Sequence, residues 1–327
     1  MSRKFIRTCS LVAANGNGGT VDLSQLRITF SVVHGVVSTP KTLRARVYNL
    51  SDDSAALIKA QYNKAVSLSV GYNGKSDLLF SGDIRQFRFG RESPVDTYLD
   101  ILAVTNDDWY AEAGMNQSLA EGWTHADVAH AIAQAASDDG ITVGTIPAVP
   151  GSGGRPKVIY GHARDALRTV AANVSAFGRC DGSTINFFQP AKKSASSNAT
   201  SAIHLSPTTG LVGIPMQTEG GVQATCLLDP RMVPDAVVAI YSRNDTGHKT
   251  TIAQEEVDPG VGVNGGNYTV NADGTASVAG LSATGQYRVA YAEHMGDTRG
   301  NDWLTTIMAI DVDSSAVTSQ AAISATS

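Results

Sequence analysis

The residues best suited to nucleophilic chemistry lie in Gly178-Arg179-Cys180-Asp181-Gly182, which has the G-x-C-x-G form of a nucleophile elbow. In an elbow the nucleophile follows a strand and precedes a helix, so that it is exposed at the helix N-terminus. The sequence predicts another order: a helix from about Ala163 to Phe177, a turn, then a strand at Thr184–Phe188. We therefore predict that Gly178 ends the helix, that Asp181-Gly182 is a turn, and that Cys180 is not a nucleophile.

Two glycine-rich segments partly match nucleotide-binding loops. Gly260-Val261-Gly262-Val263-Asn264-Gly265 has the form G-x-G-x-x-G, which binds a dinucleotide only between a strand and a helix. Here the strand-like run Asn267-Tyr268-Thr269-Val270 follows it. The segment from Gly151 to Lys157 lacks the spacing of a P-loop and the Ser or Thr after the lysine. Neither segment predicts a nucleotide site.

The seven histidines do not have the spacing of a metal site. His125 and His130 are five residues apart, on different faces of a helix, whereas a metalloprotease needs an i, i+4 pair. His294 precedes Asp297 closely, and a hydrogen bond that stabilises a turn is the favoured interpretation. A metal or acid–base role for His294 is the alternative. The other histidines are His34, His162, His204 and His248.

The acidic pairs and the cysteines also lack the spacing of a metal site or a disulfide framework. Asp107-Asp108 and the pair Asp311 and Asp313 lack the further oxygen ligands and the turn glycine of a calcium loop. Cys9, Cys180 and Cys226 are far apart and odd in number, which favours reduced thiols over a disulfide framework or a zinc site. We predict no catalytic, cofactor-binding or metal-binding residue, and a structural or interaction protein instead of an enzyme.

Length and composition limit the class of protein. The 327 residues suggest about two domains, and 42% hydrophobic with 17% charged residues is typical of a globular chain. The net charge of −5, without a block of Lys or Arg, argues against a basic nucleic-acid-binding face. No apolar run reaches the roughly 18 residues of a membrane span, and no apolar region follows the basic start Met1-Ser2-Arg3-Lys4-Phe5, so a secretory signal is not expected.

Residues 1–110 have the pattern of antiparallel strands. Apolar and polar residues alternate around Ile28, Ala45, Leu68 and Ile101, which predicts strands with one face packed on a core. Asn15-Gly16-Asn17-Gly18-Gly19 and Asn73-Gly74 are typical of hairpin turns. Asp52-Asp53-Ser54 predicts the start of a short helix to Tyr62. This block is expected to be a sandwich or a small barrel.

Residues 111–202 predict a small α+β module and a linker. Thr124-His125-Ala126-Asp127 fits a capping box, with Asp in place of the usual Glu, before a helix that ends near Gly140. The helix over 163–177 follows a strand at Lys157–Tyr160. The polar run 190–202 is expected to be a linker or a long exposed loop.

Residues 203–312 return to a β pattern, with strands expected at Ala236–Tyr241, Gln286–Ala292 and Trp303–Ile310. A glycine-rich insertion at 246–284 separates the first two and predicts an extended hairpin around Asn271-Ala272-Asp273-Gly274. The tail 313–327 is small and polar and is expected to fray. The predicted fold class is mainly β with an α+β insert.

Several segments together resemble the baseplate hub proteins of tailed bacteriophages and prophages, over roughly residues 20–245 and 285–312. The insertion 246–284 has no counterpart in this resemblance. The segments that carry it are Gly71–Gly74, Leu79–Gln86, Gly90–Ile101, Ser118–Thr124, Leu205–Pro215, Tyr287–Val289 and His294–Trp303.

The resemblance implies two tube-type antiparallel β-barrel domains, 1–110 and 203–312, joined by the α+β module and linker 111–202. It implies a homotrimer whose paired barrels make a pseudo-sixfold ring between the tail tube and a central cell-puncturing spike. Tail tube proteins, the spike and other baseplate or tail-tip proteins are the expected partners. DNA is expected to pass through the bore without specific binding, which a net negative charge would suit. No cofactor and no stable membrane insertion are expected.

The location that the resemblance implies is the virion tail, after assembly in the bacterial cytoplasm.

Two alternative functions remain open. A hydrolytic or receptor-binding tail component would need paired catalytic carboxylates or an aromatic-rich groove, and only 6% of residues are aromatic. A tail-tube protein usually needs one barrel, whereas this chain has two β blocks.

Overall fold

The computed structural model describes residues 6–14, 19–36, 39–59, 65–135, 141–147, 151–189, 202–218, 221–240, 268–270, 276–278 and 285–311. The first β block contains seven strands and one helix: β1 (Arg7–Ala14), β2 (Thr20–Asp22), β3 (Ile28–Gly35), β4 (Thr42–Tyr48), α1 (Asp52–Lys59), β5 (Ala65–Tyr72), β6 (Lys75–Arg91) and β7 (Thr97–Val104).

The expected turn at Asn73-Gly74 is confirmed. Both residues have positive φ, 55° and 75°, and they connect β5 to β6 where Tyr72 pairs with Lys75. Two positive φ values define the turn whose twist matches that of antiparallel strands, and Asn-Gly adopts them at low cost. Residues 15–18 of the other glycine-rich turn lie outside the described residues.

The α+β module follows directly. Its elements are α2 (Asp107–Glu112), β8 (Gly114–Leu119), α3 (His125–Gln134), β9 (Thr142–Val143), β10 (Lys157–His162), α4 (Ala163–Asn173), β11 (Phe177–Asp181) and β12 (Thr184–Phe188). The capping box of α3 is confirmed, because Thr124 Oγ1 accepts from Asp127 N at 3.3 Å and Thr124 N donates to Asp127 Oδ2 at 2.8 Å. Gly140 and the expected linker 190–201 lie outside the described residues.

The predicted end of α4 is wrong. The helix ends at Asn173, Ser175 has φ of 51°, and Phe177 begins β11. Gly178 is therefore a strand residue and not a helix cap. A Cβ at this position would lie 2.8 Å from Leu167 Cδ1, so the glycine allows β11 to pack closely on α4. The turn at Asp181-Gly182 is confirmed between β11 and β12.

The described residues of the second β block form eight strands: β13 (Ile203–Leu205), β14 (Leu211–Thr218), β15 (Gly221–Leu227), β16 (Val237–Ile240), β17 (Tyr268–Val270), β18 (Ala276–Val278), β19 (Gly285–Asp297) and β20 (Trp303–Asp311). The antiparallel pairing of β17 with β18 agrees with the expected hairpin, whose turn at Asn271–Gly274 lies outside the described residues. Gly260–Gly265 and the tail 313–327 lie outside the described residues.

Strands from both β blocks belong to one sheet. Along β14-β15-β20-β19-β3-β4-β7-β6-β5-β1-β2 every neighbouring pair is antiparallel, and β16 joins the sheet at β19. The blocks meet where Tyr291–Asp297 of β19 pairs with Thr29–Gly35 of β3. The predicted fold class, mainly antiparallel β with an α+β insert, is confirmed.

Three of the four buried clusters of the described residues correspond to the two β blocks and the module. Leu228 and Trp303 of the second block pack into the core of the first, which joins these two cores physically. Trp109 and Tyr110 pack into the core of the α+β module, although they precede residue 111. The domain boundaries 1–110, 111–202 and 203–312 stay a prediction. Within the described residues, no helix is long and apolar enough to cross a bilayer.

Candidate functional site

Cys180, the residue with the best apparent chemistry, is buried in β11. Asn106 Nδ2 donates to its Sγ at 3.1 Å, and its backbone N–H donates to Tyr110 Oη at 2.9 Å. The thiol is 2% exposed and contacts Asn106, the residue that precedes α2, whereas a nucleophile elbow exposes its nucleophile between a strand and the helix that directly follows it. These contacts tie the hairpin β11–β12 to α2.

His294 is buried in β19, and its predicted position in a turn is wrong. Its Nδ1 lies 2.8 Å from Thr305 Oγ1 of β20, so the hydrogen bond runs between two strands. Burial lowers the pKa of His294 to about 3, with the nearby charges of Lys41 and His34 acting in the same direction. The ring is therefore neutral and serves packing between strands.

The acidic pair at the start of α2 fixes that helix to the first β block. Arg85 Nε of β6 lies 2.6 Å from Asp107 Oδ2, and the same guanidinium pairs with Asp108. In the part of the chain that the structure describes, no group of three or more His, Cys, Asp or Glu could hold a metal ion. Asp107 and Asp108 therefore make structural contacts with Arg85.

The remaining candidate for a functional surface is the large sheet. Eight consecutive strands, β14-β15-β20-β19-β3-β4-β7-β6, pack one face on the buried cores. We call the opposite face the open face. Its rows follow from the strand register: Met295, Ser31, Arg44, Leu102 and Gln86 lie side by side, as do Asp297, Thr29, Arg46, Asp100 and Arg88.

In the described part of the chain, the eight-strand run has an open edge at β14 and a partly open edge at β6. At one end, β14 pairs only with β15, and Val212, Ile214 and Met216 are 39%, 58% and 48% exposed. At the other end, β6 turns away from β5, so residues 84–88 pair only with β7. Open strand edges are templates for pairing with another chain.

The α+β module is held at a junction with both β blocks. His34 Nε2 of β3 lies 2.9 Å from Asp181 Oδ1, and Arg179 contacts the same carboxylate. Burial opposes the ionisation of Asp181, but the hydrogen bond from His34 and the charges of His34 and Arg179 lower its pKa to about 2. Arg288 of β19 pairs with Asp235 and donates to Gln189 O at 2.7 Å. Buried contacts thus orient the module on the sheet.

The two β blocks are also joined by side chains. Arg27 Nη2 lies 2.7 Å from Asp297 Oδ2, and Arg7 Nη1 of β1 donates to Asp297 O at 2.9 Å. The guanidinium group of Arg7 also lies over the Trp303 ring, with Cζ 5.5 Å from the ring centroid. These contacts fix the β19–β20 turn against the first block. The alternating sequence pattern identified the strands but contained no signal for these partners, which are more than 260 positions apart.

Known structures have the same fold at low sequence identity. The tail protein from Neisseria meningitidis MC58 aligns with a TM-score of 0.53 and 11% identity, over 94% of this chain and 97% of that one. The 43 kDa tail protein of prophage MuSo2 from Shewanella oneidensis aligns with a TM-score of 0.51 and 10% identity, over 94% and 99%.

This protein has the fold of phage tail proteins. The E. coli c3393 protein, a component of the type VI secretion system described as similar to the T4 tail proteins gp27 and gp5, shares the fold. Its TM-score is 0.50 at 9% identity, over 89% of this chain and 75% of that one. No family model and no curated protein matches the sequence. The tail-protein resemblance of the sequence is confirmed at the level of the fold.

Proposed function

We propose that this tail-fold protein is the baseplate hub of a phage tail, a homotrimer whose ring joins the tail tube to the central cell-puncturing spike. The observation that carries the proposal is the continuous eight-strand run, in which β14 pairs only with β15 and residues 84–91 of β6 pair only with β7. One chain thereby supplies two β blocks side by side, which is what a threefold assembly needs to match a sixfold tube.

The strand directions support closure of the ring. All seven pairings along the run are antiparallel, so its first strand, β14, and its last, β6, point in opposite directions. The β14 edge of one protomer therefore meets the β6 edge of the next in the antiparallel sense. Three copies of eight strands close into 24 strands by head-to-tail contacts, which use up both edges.

The β14 edge is suited to a limited, specific contact. Its exposed Val212, Ile214 and Met216 supply apolar area at the rim of the sheet. The irregular register between Val212 and Met216, together with Pro215, restricts the length of any strand ladder. Such features discourage open-ended strand addition, because a long regular edge would recruit further chains without limit.

The hub proposal includes partners and a location. In the assembled ring, one rim contacts tail tube proteins and the other contacts the spike and neighbouring baseplate or tail-tip proteins. The location is the virion tail, after assembly in the host cytoplasm, and the protein performs no catalysis. A tail-tube protein is the alternative that the fold also accommodates, and it differs in forming a sixfold or open polymer. A hydrolytic or receptor-binding component has no supporting group of residues in the described chain.

The edge contact can be tested by one substitution. Ile214→Lys places a charge in the proposed contact, and we expect the trimer to dissociate to monomer in sedimentation velocity. Val158→Lys is the matched control, because Val158 is also exposed, at 69%, but lies on β10 of the module. The control is expected to remain trimeric. A trimer that tolerates Ile214→Lys as well as Val158→Lys would contradict the proposed edge.

A further inference from the structure

Two histidines are buried at the end of the sheet that meets the α+β module. His34 of β3 is 6% exposed and His294 of β19 is 1% exposed. In the pairing of these two strands, His34 is opposite Ala292 and His294 is opposite Val32. The two histidines are therefore diagonal neighbours on the side of the sheet that packs on the core. Such a pair is uncommon in a core, because histidine is the side chain that gains a charge most readily near neutral pH.

The surroundings of His34 suit the neutral ring. Its Nε2 lies 2.9 Å from Asp181 Oδ1, so Nε2 carries the proton, because an ionised carboxylate only accepts hydrogen bonds. Its Nδ1 is buried and has no hydrogen-bond partner among the described residues, so a second proton would be an unsatisfied buried donor. Lys41 and Arg179 also face the ring, and Arg179 already contacts Asp181. A charged His34 would thus be a third cation around one carboxylate.

The surroundings of His294 also suit the neutral ring. Its Nδ1 lies 2.8 Å from Thr305 Oγ1, and that oxygen accepts the Asp229 N–H at 3.1 Å, which leaves the hydroxyl proton to be donated to Nδ1. A proton on Nδ1 would force this hydroxyl, which is fully buried, to turn away from its acceptor. The charges facing His294 are Lys41, His34 and Asp229, and Arg231 already binds both carboxylate oxygens of Asp229.

We propose that this junction is an acid-sensitive switch, in which protonation of His34 and His294 releases the α+β module from the sheet. The module is the part that separates, because it is held here by side-chain contacts: Asp181 to His34, and Arg179 Nη2 to Pro234 O at 3.3 Å. The strands that carry the histidines are held by continuous backbone pairing, β3 with β4 and with β19. The same two protons therefore open the junction before they open the sheet.

The direction of the pH dependence follows from burial. Burial lowers the pKa of His34, and the charges of Arg179 and Lys41 act in the same direction against the contact with Asp181. Burial likewise lowers the pKa of His294 to about 3. The open junction takes up protons that the closed one excludes, so the stability of the closed form is complete above pH 6.5, the ordinary pKa, and is lost as pH falls.

The interval from about pH 6.5 to about pH 4.5 separates the histidines from the carboxylates. The pKa of Asp181 is about 2 against an ordinary 3.8, so its contribution is lost only below that interval. Each histidine adds up to one proton to the opening equilibrium. The opening constant should therefore rise by up to about tenfold per pH unit for each of the two rings.

Hydrogen exchange of the intact protein between pH 7 and pH 5, corrected for the intrinsic rate, locates the opening. We expect protection to be lost first in β11 and in the connection 228–236, while the paired strands β3, β4 and β7 stay protected. Protection that is independent of pH would overturn the proposal. Loss in β3, β4 and β7 at the same pH as in β11 would also overturn it, because the sheet would then open together with the junction.

Two substitutions assign the protons to their residues. His34→Gln keeps an N–H donor for Asp181, and His294→Asn keeps an acceptor for Thr305, but neither new side chain can be protonated. In urea unfolding between pH 6.5 and 4.5, each should lower the slope of the log unfolding constant against pH by about one proton. His130→Gln, at an exposed position of α3, is the matched control and should keep the wild-type slope. Wild-type slopes in both core variants would overturn the proposal.

Nuclear magnetic resonance of the histidine rings in the folded wild-type protein provides a test that needs no variant. Two of the seven rings should titrate well below pH 6.5, and those two signals should be the ones that His34→Gln and His294→Asn remove. Seven rings that all titrate near pH 6.5 would overturn the proposal, because the closed junction would then exclude no proton.

Discussion

His34 Nε2 in β3 lies 2.9 Å from Asp181 Oδ1 in β11, and this contact joins the first β block to the α+β module. Arg179 contacts the same carboxylate and donates to Pro234 O of the second block at 3.3 Å. One carboxylate therefore lies where the three parts of the chain meet. Because these groups are largely buried, the position of the module on the sheet depends on keeping them paired.

Asp181→Asn should destabilise the protein by about 3 kcal/mol, because it leaves Arg179 buried without its counter-charge. Urea unfolding measures the loss of free energy. Asp165→Asn is the control, since Asp165 is 55% exposed and its ion pair with Arg168 is on the surface. The control should change stability by less than about 1 kcal/mol. Equal effects of both substitutions would contradict the role of Asp181.

The same carboxylate predicts a pH dependence. The pKa of Asp181 is about 2 in the folded protein against an ordinary 3.8, so its contribution is complete above pH 4 and is lost as pH falls towards 2. The difference corresponds to about 2 kcal/mol. Unfolding free energies measured from pH 5 to pH 2 should fall less steeply for Asp181→Asn than for wild type. Parallel curves would show that Asp181 titrates normally in the folded state.

Thr124→Ala should cost about 1 kcal/mol, because it removes the side-chain oxygen that caps the N-terminus of α3. Chemical denaturation of the intact protein measures this. Thr169→Ala is a matched control within α4, where the hydroxyl donates to Asp165 O of the preceding turn and caps nothing. It should be close to neutral. A Thr169→Ala loss as large as that of Thr124→Ala would show that the effect is not capping.

Gly178→Ala should destabilise the module by about 1–3 kcal/mol, the range for overpacking a filled interior. The added Cβ would lie 2.8 Å from Leu167 Cδ1 and 3.2 Å from Ala171 Cβ, both on α4. Gly154→Ala is the control, because no heavy atom lies within 4 Å of its added Cβ. Thermal unfolding that is unchanged by Gly178→Ala would mean that α4 and β11 pack less closely than described.

The sequence predicted local features well and distant ones poorly. The capping box at Thr124 and the turn at Asn73-Gly74 were predictable because neighbouring residues supply all their hydrogen bonds and dihedral preferences. Gly178 was misassigned as a cap because a glycine required by close packing has the same signature as one required by positive φ. The pairing of β3 with β19 could not be predicted from the alternation of apolar and polar residues, because that alternation identifies a strand but not its partner.

The surroundings of the candidate residues could not be predicted from the sequence. Cys180 has a nucleophile-like setting in the sequence, yet β11 buries it beside Asn106 and Tyr110. The arginines of the open face belong to three-residue alternations in β4 and β6 that read as ordinary solvent-facing positions. Only the strand order places Arg44 and Arg88 on one face of the sheet, together with Asp100 and the acidic residues of β19.

The central claim, a closed ring of three chains, is tested most directly by the molar mass in solution. Multi-angle light scattering over a concentration series should reach a plateau at about 102 kDa, three times the chain mass of 34.1 kDa. The plateau should hold as concentration rises further, because closure of the ring occupies both the β14 edge and the β6 edge of every protomer. A protein that remains at the mass of one chain at the highest concentration and with its spike present, or that grows into a sixfold or open polymer, would contradict the account.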